Sequence, residues 1–155
     1  MPKDSLFWIK LDTRGVNKRL DAVPKKLNRP IELMAGIAQE LSTTVDDNFE
    51  AQGRPRWTPH SPATKAKRPG GRILQDTRNL QSNIPTAFSS SEASISTNVP
   101  YAALHNFGGK AGRGRKVTYP ARPFMPFNGD KLQPAAQIGI DEVIKVYLNT
   151  LHQKL

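Results

Sequence analysis

The clearest pattern of apolar and polar positions runs from Pro30 to Gly53. Apolar side chains recur there at steps of three and four residues, namely Met34, Ile37, Ala38, Leu41, Val45 and Phe49. This spacing places them on one face of an α-helix. Proline is favoured at the first helical position and glycine just after the last one. The pattern therefore predicts a helix that starts at Pro30 and stops before Gly53.

Weaker patterns predict the elements at the two ends of the chain. Residues Leu6–Leu11 alternate in the manner of a strand, and the segment from Asp12 or Thr13 to Val23 predicts a short amphipathic helix that ends at Pro24. A second long helix is predicted near the C-terminus, with Asp141 and Glu142 near its positive end. Its apolar stripe is formed by Ile140, Val143, Ile144, Tyr147, Leu148 and Leu151.

The middle of the chain predicts short elements. Apolar and small positions from Ile73 to Ile84 indicate a short helix that Pro85 ends, and the segments 86–89 and 92–97 predict a hairpin. One or two helical turns are expected over 101–107, and a short strand over 117–119.

Together these elements predict one domain of the α+β class, because strands and helices do not alternate strictly and 155 residues correspond to one domain. We expect a small antiparallel sheet packed with two long and two or three short helices, with two long basic loops or arms.

Charge is concentrated in those two loops. The chain carries 23 Lys and Arg against 13 Asp and Glu, a net charge of +10, and no acidic residue lies between Glu50 and Asp76 or between Glu92 and Asp130. These two gaps contain eleven of the 23 bases: Arg54, Arg56, Lys65, Lys67, Arg68 and Arg72 in the first, and Lys110, Arg113, Arg115, Lys116 and Arg122 in the second. Both gaps are rich in proline or glycine, which predicts a flexible arm at about 53–72 and a flexible loop at about 108–121.

The sequence offers no arrangement of residues for catalysis. It has no cysteine, and His60, His105 and His152 are too scattered to suggest a metal site. Neither Gly109-Lys110 nor the glycines that follow complete a phosphate-binding loop. No apolar run is long enough to span a bilayer. We therefore expect no catalytic, metal or cofactor-binding residues, no enzyme activity and no membrane partner.

One short motif in the basic arm leaves three interpretations open. Arg54-Pro55-Arg56-Trp57 places a large aromatic ring between bases. Such a motif suits contact with nucleic acid, with arginine on phosphates and tryptophan stacked on a base. It also suits a tryptophan anchor at a protein interface. In the third interpretation, the tryptophan folds back over the core.

Four motifs in order resemble the phage virion morphogenesis or tail-completion proteins of Mu-like phages and prophages, over about residues 5–151. The first runs from Phe49 to Trp57 and continues with His60-Ser61-Pro62-Ala63-Thr64. The second runs from Ile73 to Ile84, with Arg78 where the family usually has glycine. The third, Thr97–Gly109, also resembles head–tail connector and tail-terminator proteins. The fourth is Pro120-Ala121-Arg122-Pro123-Phe124, followed by Met125-Pro126 where the family tends to have Leu-Gly.

The resemblance implies a non-enzymatic virion protein, assembled in the bacterial host cytoplasm. It would form a homo-oligomeric ring, with six as one candidate number, where the tail tube meets the head-connector proteins. Tyr101, His105, Phe107, Gly108 and Gly109 would be structural residues of the third motif. The eleven bases would contact neighbours together with Trp57 and Phe124 as apolar anchors, and both basic segments would become ordered only against those neighbours. A basic accessory protein that contacts DNA non-specifically remains the alternative, since the same bases suit phosphates.

Overall fold

The computed structural model describes residues 7–10 and 29–153. Its helices are α1 (Pro30–Glu50), α2 (Pro62–Lys67), α3 (Ala102–Phe107) and α4 (Pro134–His152). Its strands are β1 (Phe7–Lys10), β2 (Thr86–Phe88), β3 (Ala93–Thr97), β4 (Gly109–Ala111), β5 (Val117–Tyr119), β6 (Phe127–Asn128) and β7 (Lys131–Leu132). Single 3₁₀ turns lie at Gln81–Asn83 and Arg113–Arg115. The α+β class is confirmed.

The strands form one small sheet and two separate two-stranded ribbons. In the sheet, β3 lies between β1 and β2, and both pairs are antiparallel. The predicted hairpin is confirmed, with Thr86 opposite Ile95 and Phe88 opposite Ala93. β4 pairs with β5 and β6 pairs with β7, both antiparallel. Within the described residues, β1 and β2 are therefore the open edges of the sheet.

Helix α1 is the centre of the fold. Its apolar face packs on β2, β3 and α4, and Met34, Ile37, Leu41 and Phe49 are fully buried. Gly36 lies where α1 meets α4, since a Cβ atom there would be only 2.9 Å from Cγ1 of Val143. The predicted helix from Pro30 is confirmed, and its periodic apolar positions are the ones that form the core.

The predicted helix over Ile73–Ile84 is wrong. The segment consists of turns with one 3₁₀ turn at Gln81–Asn83, because Leu74 and Arg78 adopt φ of 59° and 58°, which a right-handed helix does not allow. The backbone N–H of Ile73 instead donates to Oε1 of Gln52, 2.6 Å away. The apolar side chains still reach the core, but from turns.

The start of α4 differs from the prediction, and one predicted helix cannot be compared with the structure. Helix α4 begins at Pro134 and not near Ile140, so Asp141 and Glu142 lie about two turns inside it and not at its positive end. The helix predicted from Asp12 or Thr13 to Val23 lies outside the described residues.

Candidate functional site

A sharp reversal after α1 carries the first motif back to the core. Gln52 and Gly53 have φ of 57° and 101°, and the N–H of Gly53 donates to the carbonyl of Asn48 at 2.7 Å. A Cβ atom on Gly53 would collide with the Trp57 ring and would lie 2.7 Å from the carbonyl oxygen of Pro55. Glycine therefore allows the tight turn that brings Trp57 under the end of α1.

Trp57 and Phe124 are buried in the core, with 3% and 0% of their surface exposed. The Phe49 ring lies between them, 5.5 Å from Trp57 edge-to-face and 5.7 Å from Phe124. The indole Nε1 of Trp57 donates to the carbonyl of Pro123 at 2.9 Å. This position matches the third interpretation of the Arg-Pro-Arg-Trp motif. Neither ring is available as an exposed anchor here, because both complete the core at the end of α1.

Two buried asparagines hold the fourth motif in place. Nδ2 of Asn48 donates to the carbonyl of Phe124 and to Oε1 of Gln133, each at 3.0 Å. Oδ1 of Asn106 accepts from the backbone N–H groups of Phe124 and Met125, each at 3.1 Å. Asn48, Trp57, Asn106, Arg122 and Phe124 are called the motif cluster below. This cluster joins the first, third and fourth motifs.

Two bases of the arm serve the C-terminal end of α1. Arg54 donates from Nε to Oδ1 of Asn48 at 3.1 Å and from Nη2 to the carbonyl of Thr44 at 3.2 Å. Arg72 donates from Nη2 to the carbonyls of Phe49 and Glu50, at 3.1 and 2.8 Å. The carbonyls of Phe49 and Glu50 lie in the last turn of α1, where helix carbonyls lack intrahelical partners, and Arg72 satisfies them. The arm is thereby fastened to the helix at both of its ends.

Arg122 is almost entirely enclosed, with 8% of its surface exposed. Its Nε and Nη2 donate to the carbonyls of Thr58 and Pro59 at 3.0 and 3.1 Å, and its backbone N–H donates to the carbonyl of His105 at 2.8 Å. Burial lowers the pKa of the guanidinium. Burial, followed by the charge of Arg122, also lowers the pKa of His105. This arginine therefore connects the arm to α3.

Most of the other bases face solvent. Arg56, Lys65 and Lys67 are exposed, and Arg68 pairs with Asp76 at 3.0 Å. Strands β4 and β5 and the turn between them, residues 109–119, are called the basic ribbon below. It presents four exposed bases, Lys110, Arg113, Arg115 and Lys116. Among the residues that the structure describes, none of these four forms an ion pair.

The third motif supports the base of this ribbon. Gly108 adopts φ 72° and ψ 176°, a conformation that is essentially restricted to glycine, and a Cβ atom there would lie 2.7 Å from the backbone nitrogen of Ala121. Gly109 follows with φ 147° and begins β4. Tyr101 and Phe107 are 41% and 59% exposed. The motif thus forms a scaffold with an aromatic surface.

Sequence reasoning missed the buried amides Asn48, Asn106 and Gln133. Asn48 lies on the apolar face of α1, three residues after Val45 and beside Phe49, and it is fully buried. A polar residue in the middle of an apolar stripe indicates a buried hydrogen-bond partner elsewhere, which is the signal that could have identified it. Nothing comparable in the sequence indicates Gln133.

The structure also bears on metal binding and on membrane-spanning helices. Within residues 7–10 and 29–153, no three His, Cys, Asp or Glu side chains lie close enough together to hold a metal ion. None of the helices described there is long and apolar enough to cross a membrane.

Comparison with known proteins agrees with the motifs. The phage virion morphogenesis family matches residues 11–148. The chain is also 44% identical over 140 residues to the Mu-like prophage FluMu G protein 2 of Haemophilus influenzae, a match that covers 90% of this chain and 94% of that protein. No solved structure matches significantly. Since the matched span includes all four motifs and nearly all of both chains, the protein belongs to the phage virion morphogenesis family.

Proposed function

We propose that this protein is a non-enzymatic assembly subunit that completes the phage tail, joins the tail to the head, or both, as part of a homo-oligomeric ring. It would be assembled in the cytoplasm of the bacterial host and remain in the virion. The main support for this proposal is the motif cluster, whose side chains hold the chain's own segments together. The motif residues therefore support a scaffold, and the surface beside them is left for contacts with neighbours.

The exposed surface supports assembly with other protein copies. Phe88 on the edge strand β2 is 52% exposed, and Phe107 and Val117 are 59% and 49% exposed. Open strand edges and exposed apolar rings are features that a soluble protein usually covers through association. A heterologous interface that closes on itself produces a ring. The proposed neighbours are further copies, six being one candidate number, the tail tube and the head connector.

The test is the virion made without the protein. We expect a phage or induced prophage that lacks the gene to yield free heads with separate, unjoined or over-long tails in negative-stain microscopy. Supplying the wild-type protein in trans should restore joined particles. Normal particles with altered DNA content would contradict the proposal.

A second candidate function, contact with DNA, is favoured by the basic ribbon. It carries four exposed bases that form no ion pair among the described residues. A protein that neutralises several phosphates loses affinity steeply as salt rises, with a slope of about −0.9 per phosphate on logarithmic axes for duplex DNA.

The DNA-binding function, unlike the assembly function, predicts an affinity for DNA that decreases steeply with salt and depends on the basic ribbon. A variant with Lys110, Arg113, Arg115 and Lys116 all replaced by glutamine tests the ribbon, and a variant with Arg56, Lys65 and Lys67 replaced by glutamine serves as its control. If the ribbon binds DNA, the first variant should lose most of the salt slope in a fluorescence-anisotropy titration and the control should keep most of it. Equal slopes in both variants would exclude a dedicated role for the ribbon.

A further inference from the structure

A cleft of about 480 Å³ lies beside the motif cluster, between α2, the turns that follow it and α3. It is called the Arg122 cleft below. Residues that line it include His60, Arg68, Asp76, Tyr101, His105 and Arg122. A second hollow of about 570 Å³ on the side of the basic ribbon shares His60 and Arg122 with it. Residues of all four motifs thus meet at one concave surface.

Two histidine nitrogens at this cleft lack partners. Nε2 of His60 and Nδ1 of His105 are enclosed and form no hydrogen bond with any described group. Buried polar atoms are nearly always hydrogen-bonded to protein, to ordered water or to another bound group. Both atoms belong to residues that line the same cleft, so their missing partners point to this one region of the molecule.

The cleft also contains a buried guanidinium, that of Arg122, which forms no ion pair with a described residue. Arg122 uses two of its five N–H groups on carbonyls, and no described carboxylate forms an ion pair with it. Asp76 lines the cleft, but its Oδ1 lies 3.0 Å from Nη2 of Arg68. A buried cation favours a nearby anion, because carbonyl dipoles replace only part of its lost hydration.

These features favour an anion over a metal cation, since the guanidinium of Arg122 opposes a positive charge beside His105. They also favour a carboxylate over the phosphates of duplex DNA. Arg122 lines the cleft and is only 8% exposed, so the approach to it suits a single side chain. The phosphates of a duplex lie on the convex outside of a thick rod, which suits the exposed bases of the ribbon and not an enclosed arginine.

We propose that the Arg122 cleft binds a carboxylate side chain of a neighbouring protein in the assembly. The carboxylate accepts from the remaining N–H groups of Arg122 and from His60 and His105. This inference depends on the proposed assembly function for its partner, but the site itself is a property of this chain. It gives the first, third and fourth motifs, through His60, His105 and Arg122, a role in docking in addition to their role in the scaffold.

The test uses glutarate as a probe of a carboxylate side chain, added to the full-length protein at constant ionic strength with chloride as the balancing anion. Histidine ring signals are followed by ¹H–¹⁵N NMR. We expect the signals of His60 and His105 to shift together and to saturate with a dissociation constant on the order of 1–10 mM. His152, exposed at the end of α4, is the internal control and should not shift with them.

Two variants establish the site. Arg122→Gln should weaken glutarate binding at least tenfold. His60→Phe, which removes no hydrogen bond or ion pair formed by the described residues, should weaken it severalfold and keeps the test available where Arg122→Gln does not fold. His152→Gln should bind as the wild type does. Absence of saturation, an equal shift of His152, or binding to inorganic phosphate or a short DNA duplex at least tenfold tighter than to glutarate would each overturn the proposal.

The phage phenotype and the titration fail independently. Glutarate binding together with normal particles in the absence of the gene would retain the site and reject the assembly function. Unjoined particles without any glutarate binding would retain the function and reject the site.

Discussion

At the scale of single residues, an arginine or a tryptophan can contact a partner or hold the chain's own segments together, and the sequence does not distinguish these two roles. Arg54, Arg72 and Arg122 were predicted as contact bases, yet each donates to backbone carbonyls of this chain. Irregular segments leave many carbonyls without regular partners, and the planar guanidinium can satisfy two of them at once. Since the carbonyls bonded by Arg72 and Arg122 lie 22 to 64 positions away along the chain, the local sequence could not reveal those contacts.

Substitutions of Trp57 measure how much its buried ring contributes to the free energy of unfolding. Trp57→Ala removes a buried ring and should lower the free energy of unfolding by about 3–5 kcal/mol. Trp57→Phe keeps most of the packing but leaves the Pro123 carbonyl without its donor, so we expect a loss of about 1–3 kcal/mol. Urea denaturation followed by circular dichroism measures both. The neighbouring exposed Arg56→Ala should change stability by less than about 0.5 kcal/mol, and an equal effect of Arg56→Ala and Trp57→Ala would contradict this arrangement.

His105 should make stability depend on pH. Its pKa in the folded protein is lowered by burial and by Arg122, so below the ordinary histidine value of about 6.5 the unfolded chain binds the proton more readily. Stability should therefore decrease as the pH falls from about 7.5 through 6.5 towards the lowered pKa. The melting temperature of His105→Phe, which can retain the ring contacts with Tyr101 and Tyr119, should decrease less over this range than that of the wild type. Parallel curves for the two proteins would refute this role.

At the scale of elements, periodicity predicted the parts whose stability comes from one continuous face. α1, the hairpin of β2 and β3, and the body of α4 follow their apolar patterns. The segment 73–84 has a helical pattern but is held by long-range contacts, such as Ile73 to Gln52, which no local pattern encodes. α2 was missed although Ser61 caps it by accepting from the N–H of Thr64 at 3.2 Å. The capping signal was present, but the helix is too short to show an apolar stripe.

Gly108 tests how the third motif supports the ribbon. Gly108→Ala places a side chain in a conformation that costs about 1–3 kcal/mol and adds a close contact with Ala121, so we expect a loss of more than about 2 kcal/mol in thermal unfolding. Gly70→Ala is the matched control, because Gly70 also has a positive φ of 71° but no heavy atom within 4 Å of the added Cβ. Equal losses in the two variants would show that backbone conformation alone matters.

At the scale of the whole molecule, the bases behind the net charge of +10 divide into those that bond to this chain's own backbone and those that do not. The motif cluster and the end of α1 retain Arg54, Arg72 and Arg122, whereas the basic ribbon presents its four bases to solvent. The flexibility predicted for both basic segments stays a prediction. The contacts of the arm with α1 provide it with a defined path in the absence of a neighbour.

Association through the sheet edge is open to direct test. Phe88→Lys should leave unfolding unchanged within about 0.5 kcal/mol, because the ring is 52% exposed. The same change should reduce the fraction of oligomers in native mass spectrometry, since charge on an edge strand opposes pairing. Ile138→Lys, at an exposed position of α4, is the control. If both variants assemble like the wild type, β2 is not an interface.

The motif cluster also determines what happens when the backbone is cut. Trypsin should cleave first within the basic ribbon, after Arg113, Arg115 or Lys116, which are exposed. The C-terminal fragment would still carry Pro123, Phe124 and α4, which contact Trp57, Asn48 and α1 of the other fragment. We expect the two fragments to co-elute in gel filtration and to separate only in denaturant. The nicked protein would then consist of two fragments that the motif contacts hold together without a covalent link.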